Sequence, residues 1–423
     1  MQEQINDYFD SILSKFQCGF RKGFSAQHCL LVMIEKFRKA RDQKGVFAAV
    51  LTDLSKAFDC IPHNLLIAKL QSYGFDKKSL AFIWAYLKGR KQKVKIGSVF
   101  SDYLNVIFGV PQGSILGPIL FIIFIADLFF IVDDIDYASY ADDTTPYACR
   151  KNIIEAIEFL EPRLSNIFKW FEHNGLVANS SKSHFLVGPF VNINLRIADS
   201  IIQSSSSEEL LGITIDSDLS FSDHISSLCA KANQKLSALA RVVKYMSISK
   251  RRLLMNSYIS AQFNYCPLVW MSHSRSLNNK INKIHERALR LIYEDNVSSF
   301  KDLLMKDRSY TIHERNIQYL AIEIFKVKIG ISPEIMSEVF IFEENTAYNL
   351  RIGSHLQRSN THTIHYGVES ISTLGAKIWN LIPDDIKESK TLNIFKRKIK
   401  KWTPEQCPCR LCKKYINQIG FIN

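Results

Sequence analysis

Along the first half of the chain, strand-like and helix-like patterns of apolar residues alternate. Val46-Phe47-Ala48-Ala49-Val50-Leu51-Thr52-Asp53 is a continuous apolar run ending in an acid, which predicts a central strand buried on both faces. A helix follows: Pro62 is placed at its start, Leu65, Leu66, Lys69 and Leu70 give the spacing, and Gly74 ends it. A second helix is predicted over about 78–87, an exposed strand over 93–97, an amphipathic helix over 152–174 and a strand over 180–187. Short β pieces at 194–197 and 210–216 enclose Gln203-Ser204-Ser205-Ser206-Ser207, which reads as a polar linker. After Asp216 the period turns helical, with helices expected over 224–245, 251–263 and 277–293 and a further helical region over about 299–340, then a polar segment over 344–365. There is no internal repeat.

One stretch, 115–132, is almost wholly apolar and approaches the length of a membrane span. Gly117, Pro118 and Asp127 interrupt it and no basic flank marks a cytoplasmic side, so a buried helix behind the strands is expected, and no membrane partner. With 423 residues, 47% of them hydrophobic, the chain can bury a large core and divide into two or three domains. Lys and Arg outnumber Asp and Glu by 54 to 41, and that excess implies a polyanionic partner. The excess is concentrated at the end, where 386–414 holds ten basic residues against two acidic ones. Nine cysteines without a framework fit a reduced intracellular protein. The polar N-terminus carries no targeting signal, so the cytoplasm and nucleus are the expected locations.

Candidate chemistry centres on Tyr140-Ala141-Asp142-Asp143, at the tip of a predicted hairpin between the β-rich 135–140 and 144–148. Paired aspartates repel and ionise reluctantly, a conflict that a divalent cation resolves. Taken alone, a solvated polar turn is the simpler reading. Three further features change it. Asp53 closes a buried strand, where an uncompensated charge is costly; Asp59, by contrast, has the ready explanation of starting a helix. Gly109-Val110-Pro111-Gln112-Gly113-Ser114 is a loop whose backbone can approach a ligand closely, with Gln112 offering both a donor and an acceptor. Asn174-Gly175-Leu176-Val177-Ala178-Asn179-Ser180-Ser181-Lys182 delivers a lysine ahead of a strand.

In this order the blocks resemble the palm of a reverse transcriptase, and most closely that of non-long-terminal-repeat (LINE-like) retrotransposons. The resemblance begins at Gln17-Cys18-Gly19-Phe20-Arg21-Lys22-Gly23, similar to a fingers block. It runs to Leu210-Leu211-Gly212-Ile213, similar to the primer grip, and so covers about half the chain. Trp379-Asn380-Leu381-Ile382-Pro383 and the Cys-rich tail look like the carboxy-terminal part of such proteins.

The resemblance implies an α+β fold, a right-hand polymerase palm with an antiparallel sheet backed by helices. Fingers and palm are expected over 1–216, a helical thumb over 217–298 and a helical, basic, Cys-containing region over 299–423. It implies an RNA-directed DNA polymerase working on an RNA template, a DNA primer or target and dNTPs, with two Mg²⁺ ions held by oxygen ligands. Asp53, Asp142 and Asp143 are the implied metal ligands, with the Leu54 backbone carbonyl as a further one. Lys182 is similar to the lysine that acts as general acid toward pyrophosphate. Phe58 looks like the residue beneath the nucleotide sugar, with ordinary core packing as its equal alternative. Gln112 and Gly113 would meet the incoming nucleotide, and Leu211 and Gly212 would hold the primer.

Only sixteen residues precede Gln17, where family members carry further fingers sequence, so a 5′-truncated copy is expected, with Arg21 and Lys22 as stand-ins for the missing triphosphate contacts. A nucleic-acid-binding remnant without polymerase activity is the second reading, and a group II intron maturase the third. Cys407, Cys409 and Cys412 cluster in the tail, but a structural zinc needs four ligands, so a reduced basic tail is expected rather than a zinc site.

Overall fold

The computed structural model describes residues 2–179, 182–197, 200–343, 355–357, 360–404, 407–409 and 411. The chain forms two compact units, one of Met1–Cys29 with Val46–Ser206, the other of Leu30–Gly45 with Ser207–Asn423.

The first unit is built on a six-stranded sheet: β1 (Val46–Leu51), β2 (Asp136–Tyr140), β3 (Asp143–Arg150), β4 (His184–Gly188), β5 (Asn194–Ile197) and β6 (Ser200–Ser205). Their order across the sheet is β5-β6-β4-β1-β3-β2, antiparallel throughout except between β4 and β6. β1 is central and its Phe47, Ala48, Ala49 and Val50 are fully buried, as its unbroken apolar run requires. Ala48 and Val50 belong to one core with Leu120, Phe121 and Phe124 of the Gly117–Phe124 helix and Leu160, Leu164 and Phe171 of the Ile153–His173 helix.

The apolar stretch 115–132 is therefore mostly core, and no described helix is long and apolar enough to cross a membrane. Asp127, which interrupts it, accepts a 2.8 Å bond from Lys69 Nζ, and the same ammonium donates to the Phe124 carbonyl at 2.8 Å. Lys69 projects from the predicted helix, observed as His63–Ser72 with Pro62 at its N-cap. The predicted helices at 78–87 and 152–174 are observed as Lys77–Leu87, capped by Asp76, and Ile153–His173, capped by Asn152.

One reading needs correction. Gln203, Ser204 and Ser205 are not linker but part of β6, paired with both β4 and β5. Serine hydroxyls give this polar segment a place in the sheet: Ser204 Oγ donates to the Val191 carbonyl at 2.6 Å, and Ser205 Oγ to that of Phe185 at 3.1 Å.

The second unit opens with the hairpin β7 (Ser207–Leu210) and β8 (Ile213–Asp216) and is otherwise helical. Ser222–Val243, Ile248–Tyr258 and Arg275–Tyr293 lie close to the predicted helices. The helical region expected over about 299–340 is observed as Phe300–Asp307, Ile312–Lys328 and the short turn Glu334–Glu338. Arg308 takes a left-handed φ of 54°, and Thr311 with Glu314 forms a capping box that starts a new helix, Ile312–Lys328. Residues 217–298 and 299–423, expected as separate regions, fall in the same unit. Most of the polar segment 344–365, like Cys412, lies outside the described residues.

The helix Ala26–Asp42 contributes residues 30–42 to this unit, and its polar residues are ties rather than a solvated face. Glu35 accepts the backbone N–H groups of Ile371 and Ser372 at 2.8 and 2.9 Å, capping the Ile371–Leu381 helix. Arg38, 1% exposed, donates to the His365 carbonyl at 2.8 Å, and Asp42 accepts from Thr363 N and Oγ1, each at 2.7 Å.

Candidate catalytic site

The pairing of β1 with β3 brings the first unit's carboxylates together. Ala49 faces Tyr147, and the same register continues past the end of β1 to a bridge between Thr52 and Thr144, whose N–H···O bond is 3.2 Å. Asp53 and Asp143 are the next residues on each side of that bridge. β2 and β3 are joined by the two-residue turn Ala141-Asp142, with Tyr140 opposite Asp143 and Ala141 at a left-handed φ of 59°.

The surroundings of Asp53 differ from the sequence reading: although its neighbours Thr52 and Leu54 are buried, Asp53 itself is exposed like Asp143, with Asp142 half-buried. The three charges still act on one another. The Asp143 carboxyl is pushed up to about 6, first by partial loss of solvation, then by the charges of Asp142 and Asp53. The group is short of positive charge and rich in oxygen donors, which fits a hard divalent cation.

The turn is seated by residues 17–19. Gln17 bridges Ser139 in parallel, Cys18 N donates to the Ser139 carbonyl at 2.8 Å, and Gln17 Nε2 donates to that of Ile122 at 3.2 Å. Gly19 lies against the turn itself, where a Cβ would meet Ala141 N at 2.1 Å. Sequence reasoning placed this block in the family pattern but gave Gly19 no role, because its requirement is a contact with residues more than a hundred positions away.

The other candidate residues attach to the same frame. Asn179 N donates to the Asp53 carbonyl at 3.0 Å, and Leu54-Ser55 pairs with Val177-Ala178, which ties the Lys182 loop to the first aspartate. Leu54 is buried and Lys182 exposed. The loop 109–114 is bonded to the segment after Asp53: Val110 N donates to the Phe58 carbonyl at 2.9 Å and Gly109 N to that of Ile61 at 2.8 Å. A Cβ on Gly109 would lie 2.7 Å from Asp59 Cα, so that position takes glycine. Gln112 Nε2 donates to Asp59 Oδ1 at 2.9 Å on the open surface, and the exposed Gly113 has nothing within 4 Å of an added Cβ. Phe58 stacks on Phe121 with centroids 4.4 Å apart and meets Phe20 edge-on at 5.9 Å, a half-buried ring between core and surface.

Arg21 is the correction at this site. Its guanidinium does not stand free for a phosphate: it pairs with Asp10 at 2.7 Å, donates to the Ser14 and Gln17 carbonyls at 2.7 and 3.1 Å, and lies over Phe24. Those bonds make it a brace for the N-terminal segment. Leu211 and Gly212 belong to the second unit, in the β7–β8 turn, where the Leu211 carbonyl accepts a 2.7 Å bond from Tyr265 Oη.

Residues 1–215 match the family model described as "Reverse transcriptase (RNA-dependent DNA polymerase)". The chain is 27% identical over 309 residues to "Probable RNA-directed DNA polymerase from transposon BS" of Drosophila melanogaster, with 68% of this chain and 34% of that protein covered. It is 26% identical over 297 residues to "RNA-directed DNA polymerase from mobile element jockey" of the same organism, with 66% and 32% covered. The chain thus spans about a third of the length of the curated relatives it matches.

Proposed function

The chain belongs to the reverse transcriptase family, and we propose that it serves a non-long-terminal-repeat mobile element as an RNA-directed DNA polymerase, extending a primer 3′-hydroxyl by Mg²⁺-dependent nucleotidyl transfer. The observation that carries the reading is the convergence of Asp53, Asp142 and Asp143 at the end of β1 and the β2–β3 turn, within the span of the family match. These three carboxylates would hold the metal. A pair of Mg²⁺ ions so bound would lower the pKa of the primer hydroxyl and neutralise charge on the leaving pyrophosphate.

The remaining roles fall to the chain's own side chains. Lys182, exposed on a loop bonded to the Asp53 backbone, would give a proton to pyrophosphate. Gln112 and Gly113 present an open polar edge to the nucleotide, and the Phe58 ring bounds the sugar. Leu211 and Gly212 contact the primer strand. Lys280 and Lys283, exposed on the Arg275–Tyr293 helix, track backbone phosphates without reading sequence. RNA template, primer and dNTPs are the partners this implies.

A second reading, RNA binding without nucleotide incorporation, draws on Arg21, whose internal bonds leave it no free donor fork for a triphosphate. Primer extension on an RNA template with Mg²⁺ separates the two. Extension that depends on Asp142 supports the polymerase, while salt-sensitive RNA binding with no incorporation supports the alternative.

A further inference from the structure

The second unit contains a cavity of about 540 Å³ whose lining includes His273, His313, Glu369 and Cys409. His313 enters from the first turn of the Ile312–Lys328 helix. Cys407 and Cys409 come from the chain beyond the Leu392–Ile399 helix, in a basic tail that the sequence led us to expect as reduced rather than as a zinc site. Cys407, Cys409 and Leu411 are all buried, with exposures of 6%, 8% and 7%. His313 is 6% exposed, and its Nε2 lies 3.2 Å from Cys409 Sγ. One donor atom each from His313, Cys407 and Cys409 falls within 4.8 Å of the others.

We propose that His313, Cys407 and Cys409 form a zinc site that fastens the C-terminal tail into the second unit. Two thiolates and an imidazole are the donor set that selects zinc among biological divalent ions. Zinc–sulfur and zinc–nitrogen bonds of about 2.3 and 2.0 Å place tetrahedral ligand atoms roughly 3.5–3.8 Å apart. The observed grouping, bounded by 4.8 Å, approaches that spacing. Without a cation, three buried groups that each bind metal or proton share one small space, an arrangement that costs solvation.

A second observation points to the same ligand. His273, 6% exposed, holds its Nδ1 3.0 Å from the Trp270 carbonyl, which can only accept, so Nδ1 carries the proton. The Nε2 atom is buried and makes no geometric hydrogen bond, in a side chain that lines the same cavity with the Asn278 side chain beside it. Metal-bound histidines characteristically donate their second nitrogen to a backbone carbonyl in this way, which suits His273 to complete the site by moving in toward the three donors, whose close group it stands outside. The site would join residues of the Trp270–His273 turn, the Ile312 helix and the tail, which are far apart in sequence, and so make tail docking dependent on metal.

Metal analysis of the full-length protein, purified from zinc-supplemented culture without chelator, tests this. We expect about one zinc per chain, as for a structural site, and loss of most of it in both His313→Ala and Cys409→Ser. A readout on the unmutated protein guards against variants that simply fail to fold. Iodoacetamide labelling mapped by mass spectrometry should modify Cys407 and Cys409 at least about tenfold faster after EDTA, because metal-bound thiolates are shielded. Labelling of Cys229 should not change with EDTA. A zinc-free wild-type protein, labelling indifferent to EDTA, or zinc retained in both variants would each overturn the proposal.

Discussion

Gly19 and the turn residue Ala141 are in such close contact that a single added carbon on Gly19 would fall 2.1 Å from the Ala141 backbone nitrogen. The neighbours, Ala141 N and Cα and Tyr140 C, are backbone atoms that cannot rotate away, so a side chain here must move the turn that bears Asp142. Gly19→Ala should cost about 1–3 kcal/mol of stability, as overpacking does, and lower nucleotide addition by more than the unfolded fraction accounts for. Parallel thermal melts and extension rates check this; an alanine variant with both wild-type stability and wild-type rate would show that the turn tolerates displacement.

The carboxylate cluster sets a pH dependence whose sign can be worked out. An unfolded Asp titrates near about 3.9, whereas Asp143 in the folded chain is pushed up to about 6 by lost solvation and by Asp142 and Asp53. Between those values the folded state holds the extra proton, so metal-free stability falls as pH rises through this window, and the loss is complete above about 6. Asp143→Asn should therefore melt higher than wild type at pH 7.5 in EDTA, with the difference vanishing below pH about 4. Adding Mg²⁺ at pH 7.5 should raise the wild-type melting temperature and leave Asp143→Asn less affected. Melting curves at the two pH values, with and without metal, measure both.

Phe58 is held between Phe121 and Phe20, with a minority of its surface left toward solvent. Phe58→Ala should cost about 2 kcal/mol through lost stacking and burial. If the ring also bounds the nucleotide sugar, the same variant should incorporate ribonucleotides relative to deoxyribonucleotides at least about tenfold more readily. That ratio is internal to each preparation, so it is independent of how much protein is folded. An unchanged ratio would leave Phe58 as core packing alone.

Lys69 is 9% exposed, bonded to Asp127 and to the Phe124 carbonyl, and placed over the Phe124 and Trp170 rings at 4.3 and 4.6 Å. Burial lowers its pKa, and the pairing with Asp127 opposes that. Lys69→Met should destabilise by about 1–3 kcal/mol, because it strands a partly buried carboxylate and a carbonyl. Adding Asp127→Asn should recover part of that loss, which denaturant titration of the single and double variants would reveal. Simple additivity of the two changes would contradict the pairing.

Much of the first unit was legible because its signals are local. The run 46–53 has the pattern of a two-sided buried strand, Pro62 and Asn152 mark helix starts, and Tyr140–Asp143 has turn chemistry between β-forming segments. The ordered blocks then made the carboxylates a group before any geometry was known. What escaped was decided by distant partners. Glu35, Arg38 and Asp42 have the look of a solvated face, yet each is fixed by backbone or side-chain groups at 361–373 or at Leu219. Arg21 looked available for phosphate because nothing in the sequence announces Asp10 and the Ser14 carbonyl as its partners. Ser204 and Ser205 read as linker because a serine-rich strand lacks alternation, and only the cross-strand hydroxyl bonds reveal its place. His313 and Cys409 are ninety-six positions apart, beyond any spacing rule.

The most direct measurement of the central claim is single-nucleotide addition to a primer annealed on RNA, in Mg²⁺, by wild type, Asp53→Asn and Asp142→Asn, with RNA affinity recorded for all three. We expect template-directed addition by the wild type and a loss of at least roughly a thousandfold in each variant, about 4 kcal/mol of barrier, with RNA affinity little changed. Absence of addition by the wild type, or equal rates in the three proteins, would contradict it.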